Sequence, residues 1–184
     1  MTDQRPKIAV PMGDPAGVGP EIVLKAAMSR EVAEKSRFFV IGDAGVLRRA
    51  LTFPGMPDVR IHVINDPEEG DYQAGVLNVI NLANIDTAAY EIGKVSAACG
   101  RAAYEYIEKA IQMALGNQAD AVSTTPINKE SLHAAEVPYI GHTEIFGALT
   151  HTADPLTIFE VRDTLVFFLT RHMSLRNACD AITK

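Results

Sequence analysis

Short apolar runs separated by punctuated polar stretches set the pattern of the first half of the chain. Lys7-Ile-Ala-Val-Pro-Met12 is short enough for a strand and runs into Gly13-Asp-Pro-Ala-Gly-Val-Gly-Pro-Glu21. Pro20 after Gly19 marks a helix start, because proline's missing N–H is harmless in a first turn. Residues 21–28 then read as a helix, 37–41 as a buried-type strand, 44–51 as a short helix and 60–64 as an alternating strand. In the loop-rich stretch 66–86 only residues 77–80 have strand character. The clearest helix is 95–115, with Cys99, Ala103, Tyr106, Ala110 and Met113 on one stripe of period 3.6 and Gly116-Asn117 as its C-cap pair. Residues 121–124 read as a strand end, followed by predicted helices at 129–134 and 143–149. Beyond these, 156–161 and 164–170 flank Arg162-Asp163 as an antiparallel hairpin, and Ser174 is the candidate N-cap of a last helix. Strands alternating with helices predict an α/β sheet with helices on its faces.

Composition changes that picture little. With 184 residues, 47% hydrophobic and 22% charged, the chain is of one-domain size and able to build a core. Lys and Arg number 17 against 23 Asp and Glu, a net charge of −6, so no electrostatic footprint for nucleic acid or an anionic membrane is present. A local basic pocket for a small anion remains compatible with that balance. No apolar run approaches the ~20 residues of a membrane span, and the polar start Met-Thr-Asp-Gln-Arg-Pro-Lys lacks a signal peptide's apolar stretch. Two cysteines eighty positions apart, Cys99 and Cys179, form neither a disulfide framework nor a metal quartet, and both read as small apolar residues on helix faces. A cytoplasmic setting is the expectation.

Four stretches carry candidate chemistry, each beside a purely structural reading. The Gly13–Glu21 loop brings backbone and a helix N-terminus toward a ligand, with Asp14 either a turn residue or a polar group in a cleft. It matches neither the dinucleotide fingerprint, since Ile22 stands where the third glycine belongs, nor a P-loop. In Gly141-His142-Thr143-Glu144 a histidine precedes a helix start, with Thr143 as N-cap, so an imidazole and free N–H groups can meet one anion. Phe146 then occupies the capping-box position, which argues against a simple cap. Thr124-Thr125-Pro126-Ile-Asn128-Lys129 can hold a phosphate or carboxylate through hydroxyls and Lys129, or be a turn with a solvated lysine. His172, beside Arg171 at a strand end, sits where α/β sheets bind ligands, although a lone histidine is more often structural. His62, His133 and His151 carry no such context, and the G-x-S-x-G elbow is absent.

Taken together, Met12-Gly-Asp-Pro-Ala-Gly-Val-Gly-Pro-Glu-Ile22, Gly93-Lys-Val-Ser96, Thr125-Pro-Ile-Asn-Lys129 and Tyr139-Ile-Gly-His-Thr-Glu144 resemble the 4-hydroxythreonine-4-phosphate dehydrogenase family of pyridoxine biosynthesis, in order along the whole chain. The resemblance implies a three-layer α/β/α fold like that of isocitrate and isopropylmalate dehydrogenases, incomplete in this chain. Residues 1–184 would be the N-terminal portion of a two-domain enzyme. It also implies NAD- or NADP-dependent oxidation of a secondary alcohol in a small phosphorylated hydroxy acid, with a divalent metal (Zn, Mg or Co). Loss of carbon dioxide from the resulting β-keto acid would be assisted by that metal as a Lewis acid. Relatives act on threonate or erythronate 4-phosphates, others on cyclic dihydrodiols. Carried onto this sequence, His142 and Thr143 would contact substrate and His172, within Thr170-Arg-His-Met-Ser-Leu-Arg176, would ligate the metal. Arg171 and Met173 depart from the usual neighbours, which points to the relatives with a different substrate. Family members are nearly twice as long and form homodimers with shared active sites. This chain alone is therefore expected to be inactive, with apolar surface left uncovered; a non-catalytic domain binding a phosphorylated acid or a partner is the alternative. No catalytic or cofactor-binding residue is assigned at this stage.

Overall fold

The computed structural model describes residues 3–153, 155–170 and 173–183. Five strands, β1 (Lys7–Pro11), β2 (Arg37–Gly42), β3 (Arg60–Ile64), β4 (Val76–Asn81) and β5 (Ala121–Val122), form one parallel sheet in the order β3-β4-β2-β1-β5. β1 lies between β2 and β5, with Ile8 opposite both Phe38 and Ala121. The central strands read as continuous apolar runs because a parallel sheet is covered on both faces; Phe39, Val40 and Ile41 of β2 are all fully buried. The helices α1 (Gly19–Ala26), α2 (Arg30–Lys35), α3 (Ala44–Leu51), α4 (Ala97–Leu115), α5 (Lys129–Ala134) and α6 (His142–Leu149) flank the sheet. This is the expected α/β architecture, and every predicted element is present within a few residues.

α4 organises the packing. Its predicted stripe, Cys99, Ala103, Tyr106, Ala110 and Met113, is buried throughout, and the helix contacts β1, β2 and β5. A second face carries Ile107 and Ile111 against Ile145 of α6. Covered on both sides, α4 joins the sheet to α5 and α6. Ser96 caps its start by accepting a bond from Cys99 N at 3.3 Å. At its end Asn117, not Gly116, takes the left-handed conformation with φ 58°, a geometry asparagine tolerates.

Three features depart from the sequence reading. α2 carries no buried residue, so it leaves no apolar period to detect; its Ser29 cap and the Lys35–Glu31 pair at i,i+4 supply local support instead. β5 is two residues long rather than four, although Ser123 N still bonds Ala9 O at 3.0 Å. Cys179, expected on an apolar helix face, is exposed, because the last helix, α7 (Leu175–Asp180), has no buried residue at all. Ser174 does cap α7, accepting from Asn177 N. Before it, β6 (Ile158–Val161) and β7 (Thr164–Phe167) pair antiparallel as a separate ribbon, with Arg162 at φ 54° in the turn. The ribbon exposes Ile158, Phe159, Val161, Leu165, Val166 and Phe167, as anticipated for uncovered apolar surface.

The α4–α5 crossing yields a test. A Cβ on Gly100 would lie 2.0 Å from Ser131 O, which is backbone and cannot swing aside. Gly-to-Ala inside a helix normally gains about 1 kcal/mol of propensity, whereas overpacking of this kind costs about 1–3 kcal/mol. Gly100→Ala should therefore lower the denaturation midpoint, while Gln112→Ala on the exposed side of the same helix leaves it nearly unchanged. A rise for Gly100→Ala in thermal or urea melts would show that the two helices are not in contact there.

Candidate functional site

The order of the sheet fixes where a site can be. The connection leaving β1 runs to β2 on one side, whereas the connection from β4 delivers β5 to the other side of β1. The crevice outside the carboxyl ends of strands at such a reversal is where open α/β sheets bind ligands. Two loops meet there: residues 12–18 after β1 and residues 123–128 after β5. Thr125 Oγ1 donates to Pro11 O at 2.8 Å, and Asp14 N donates to Pro126 O at 3.2 Å. Gly13, with φ +77°, approaches so closely that a Cβ would stand 2.4 Å from both Pro126 O and Thr125 Oγ1; one on Gly19 would be 2.0 Å from Met12 O. These two glycines serve contacts between chain segments. Gly17 and Val18 of the loop are exposed at the rim of the crevice.

The crevice continues as a cleft with two lobes that share Pro126, Ile127 and Lys129. One, of about 510 Å³, is bordered by Asp14, Gly17, Lys94, Asn128 and Glu130. The other, of about 650 Å³, is bordered by Gly141, His142, Thr143 and Glu144. Asp14, Lys129, His142 and Thr143, distant in sequence, are thus brought to one cleft. His172 lies outside the described residues. Among the described residues, no three His, Cys, Asp or Glu side chains are grouped to hold a metal ion, and no step is built on the implied metal.

Thr143 is not the cap of its helix. α6 begins at His142 and its cap is Gly141, which offers no side-chain acceptor. The shift by two residues puts Glu144, not Phe146, at the third helical position. It also leaves the N–H groups of His142, Thr143 and Glu144 without intrahelical acceptors, next to the second lobe. His142 is half-buried and its ring bonds to the backbone of Thr125; burial, the larger influence, pulls its pKa below the ordinary imidazole value. Nε2 is buried without a hydrogen-bond partner. At neutral pH His142 is therefore uncharged, and the positive charge at this lobe comes from Lys129. Elsewhere His62 bonds Asn78 Oδ1 at 3.1 Å, while His133 and His151 are exposed; none joins the cleft.

Asp14 is 3% exposed. Its carboxylate accepts from Ala16 N at 2.7 Å and from the Ser131 side chain, it forms no ion pair among the described residues, and desolvation raises its pKa. Ser131, 0% exposed, also accepts from Ser96 N at 3.2 Å, tying the starts of α4 and α5 to the β1 loop. Sequence reasoning passed over Ser131, because one polar residue inside a short helix gives no signal. It did not single out Lys94 as a cleft residue either, although Lys94 lies in the Gly93-Lys-Val-Ser96 stretch that carries the resemblance.

Comparison with known proteins agrees with this α/β framework. A family profile described as pyridoxal phosphate biosynthetic protein PdxA matches residues 34–184. The chain belongs to the PdxA family. It is 57% identical over 180 residues to a protein of Fusobacterium nucleatum named "Putative D-threonate 4-phosphate dehydrogenase", covering 98% of this chain and 54% of that one. It superposes with TM-score 0.90 on the crystal structure of 4-hydroxythreonine-4-phosphate dehydrogenase from Klebsiella pneumoniae, at 35% identity, covering 98% of this chain and 54% of that one. A 4-hydroxythreonine-4-phosphate dehydrogenase structure from Burkholderia phymatum gives 0.87 at 36% identity, over 95% and 52%. The chain spans about half the length of the curated relatives it matches. No described helix is long and apolar enough to cross a membrane.

The Asp14 geometry sets a pH test. A carboxyl whose folded pKa is raised is destabilising when ionised: the penalty is absent below the unfolded pKa and complete above the folded one. Asp14→Asn keeps an acceptor for Ala16 N and removes the charge. Its thermal midpoint should gain on the wild type more at pH 7 than at pH 4. The reverse order in calorimetry would mean that Asp14 is ion-paired.

Proposed function

We propose that this chain forms the substrate-binding part of an NAD-dependent dehydrogenase of four-carbon hydroxy acids carrying a 4-phosphate, with D-threonate 4-phosphate ahead of 4-hydroxythreonine 4-phosphate. The observation that carries this reading is the cleft at the β1/β5 switch point, where His142, Thr143 and Lys129 meet. The free N–H groups at the start of α6 and the Lys129 ammonium suit a phosphate or carboxylate. Neutral His142 Nε2 suits a substrate hydroxyl. The preference for the threonate compound rests on the higher identity to the relative that bears that name. The reaction class is removal of a hydride from a secondary alcohol, with the hydroxyl proton passing to a base and NAD or NADP as acceptor; the 3-keto acid so formed can lose carbon dioxide. The divalent metal and the homodimer belong to the same reading, with His172 as the one metal ligand this chain would contribute. The same family resemblance supports a cytoplasmic setting.

The reading predicts what the 184-residue chain does alone. Hydride transfer needs alcohol, nicotinamide and proton acceptor held within about 3–3.5 Å of reacting geometry, and no such constellation is assembled among the described residues. D-threonate 4-phosphate should bind measurably by calorimetry, whereas mixing it with NAD and a divalent metal should give no growth of reduced-nicotinamide absorbance. His142→Ala should weaken that binding about tenfold, as for one buried hydrogen bond lost. Because the folded imidazole titrates below its ordinary value near 6.5, the His142 contribution should persist from pH 8 to that value and fade only on further acidification. Undiminished binding by His142→Ala would remove the histidine from the site. Turnover near an ordinary enzymatic rate of about 10 per second would refute the dependence on parts beyond this chain. A non-catalytic phospho-acid-binding domain is favoured instead if binding persists but a separately supplied C-terminal half, as found in the relatives, restores no turnover.

A further inference from the structure

The first lobe holds a second basic group that the reading above does not use. Gly93, at φ +76°, donates its N–H to Ala16 O at 2.8 Å, and Lys94 N bonds back to Glu91 O. This pins the 91–94 turn to the β1 loop and sets Lys94 and the Asn128–Glu130 stretch on the border of the same lobe. Lys7, Lys25 and Lys35 all pair with glutamates, whereas neither Lys94 nor Lys129 has an ionic partner among the described residues. Acidic groups border the same space. Asp14 is buried with its carboxylate engaged by Ala16 N and Ser131 and its charge disfavoured; Glu130 stands at the rim beside Lys129, and Glu91 borders the neighbouring hollow that Lys94 also lines.

We infer that Lys94, with Lys129, forms an oxyanion subsite in this lobe that takes a second phosphate or carboxylate group, apart from the one at the start of α6. The inference rests on the dehydrogenase reading for its natural ligand but not for its chemistry. A four-carbon acid with a carboxylate at one end and a phosphate at the other would then lie across both lobes, with Lys129 shared between its ends. A ligand with only one anionic group would fill one lobe and bind more weakly. The same chemistry fits the pyrophosphate of a dinucleotide, so the test separates the two sources.

The experiment is amine labelling of the protein followed by mass spectrometry, in the absence of ligand and with inorganic phosphate, D-threonate, D-threonate 4-phosphate or NAD added separately. Inorganic phosphate should slow labelling of Lys94 and Lys129 several-fold relative to the ion-paired Lys25 and Lys35. D-threonate 4-phosphate should protect both more strongly than D-threonate does. By calorimetry, Lys94→Gln should weaken D-threonate 4-phosphate binding about tenfold, the loss of one charge-assisted hydrogen bond, and Lys94→Arg should recover most of it. Protection of Lys94 by NAD but not by the acid supports the subsite and assigns it to a dinucleotide. Protection by phosphate alone supports the subsite while the substrate reading fails. Lys129 protected with Lys94 labelled at an unchanged rate under every ligand overturns the subsite and leaves the substrate reading standing. Lys94→Gln binding as tightly as the wild type overturns it as well.

Discussion

The candidate site depends on how closely the chain after β1 approaches the chain after β5. Gly13 has room for no side chain: its Cβ would overlap the Pro126 carbonyl and the Thr125 hydroxyl. That contact lets Thr125 bond Pro11 O and Asp14 N bond Pro126 O, so the two loops share one backbone network. Residues 125–129 are thereby held as a bridge with a lobe on either side. Lys129 starts α5 directly after it, and the ring of His142 leans on Thr125. An added methyl at Gly13 would separate the loops and move all of them together.

Charge in the cleft follows the same arrangement. The site combines a buried carboxylate, a neutral imidazole and lysines, in a chain whose net charge is −6. Whole-chain charge therefore says little about the ligand, because attraction for a small anion is decided within a few ångströms by ammonium groups and free N–H donors. Burying Asp14 raises its pKa through desolvation, and its carboxylate is engaged by Ala16 N. In the proposed reading, lysines and helix N–H groups would take oxyanions, while His142, neutral through desolvation, would take a hydroxyl.

Most of the fold was legible because its signals are local. Residues 44–51 and 129–134 coincide with α3 and α5, whose starts are capped by Asp43 and Asn128; α3 also shows a clear apolar face. α2 escaped because a helix with no buried residue has no period to read. The start of α6 was misplaced by one residue and its cap by two. Thr143 is the better capping side chain, but Gly141 occupies the cap because the chain needs an extended, buried residue there, close to Lys129 and Glu144. Gathering Asp14, Lys129, His142 and Thr143 is a property of strand order, which no local pattern carries. Ser131 and Lys94 became visible only once the loops were set side by side.

The molecule is not equally self-sufficient along its length. The sheet and its helices close a core in which α4 is covered on two sides. The β6–β7 ribbon instead shows apolar residues at both strands, and α7 buries nothing. A two-stranded ribbon is marginal by itself in water, so its ordering must draw on contacts other than those the sheet provides. The cleft makes no such demand. Its lining comes from residues 14–18, 93–94, 126–130 and 140–144, all ahead of the ribbon and anchored to the sheet or to α4. The proposed oxyanion site would therefore draw only on this part of the chain, whereas chemistry that calls on segments after residue 156 would depend on whatever covers the ribbon.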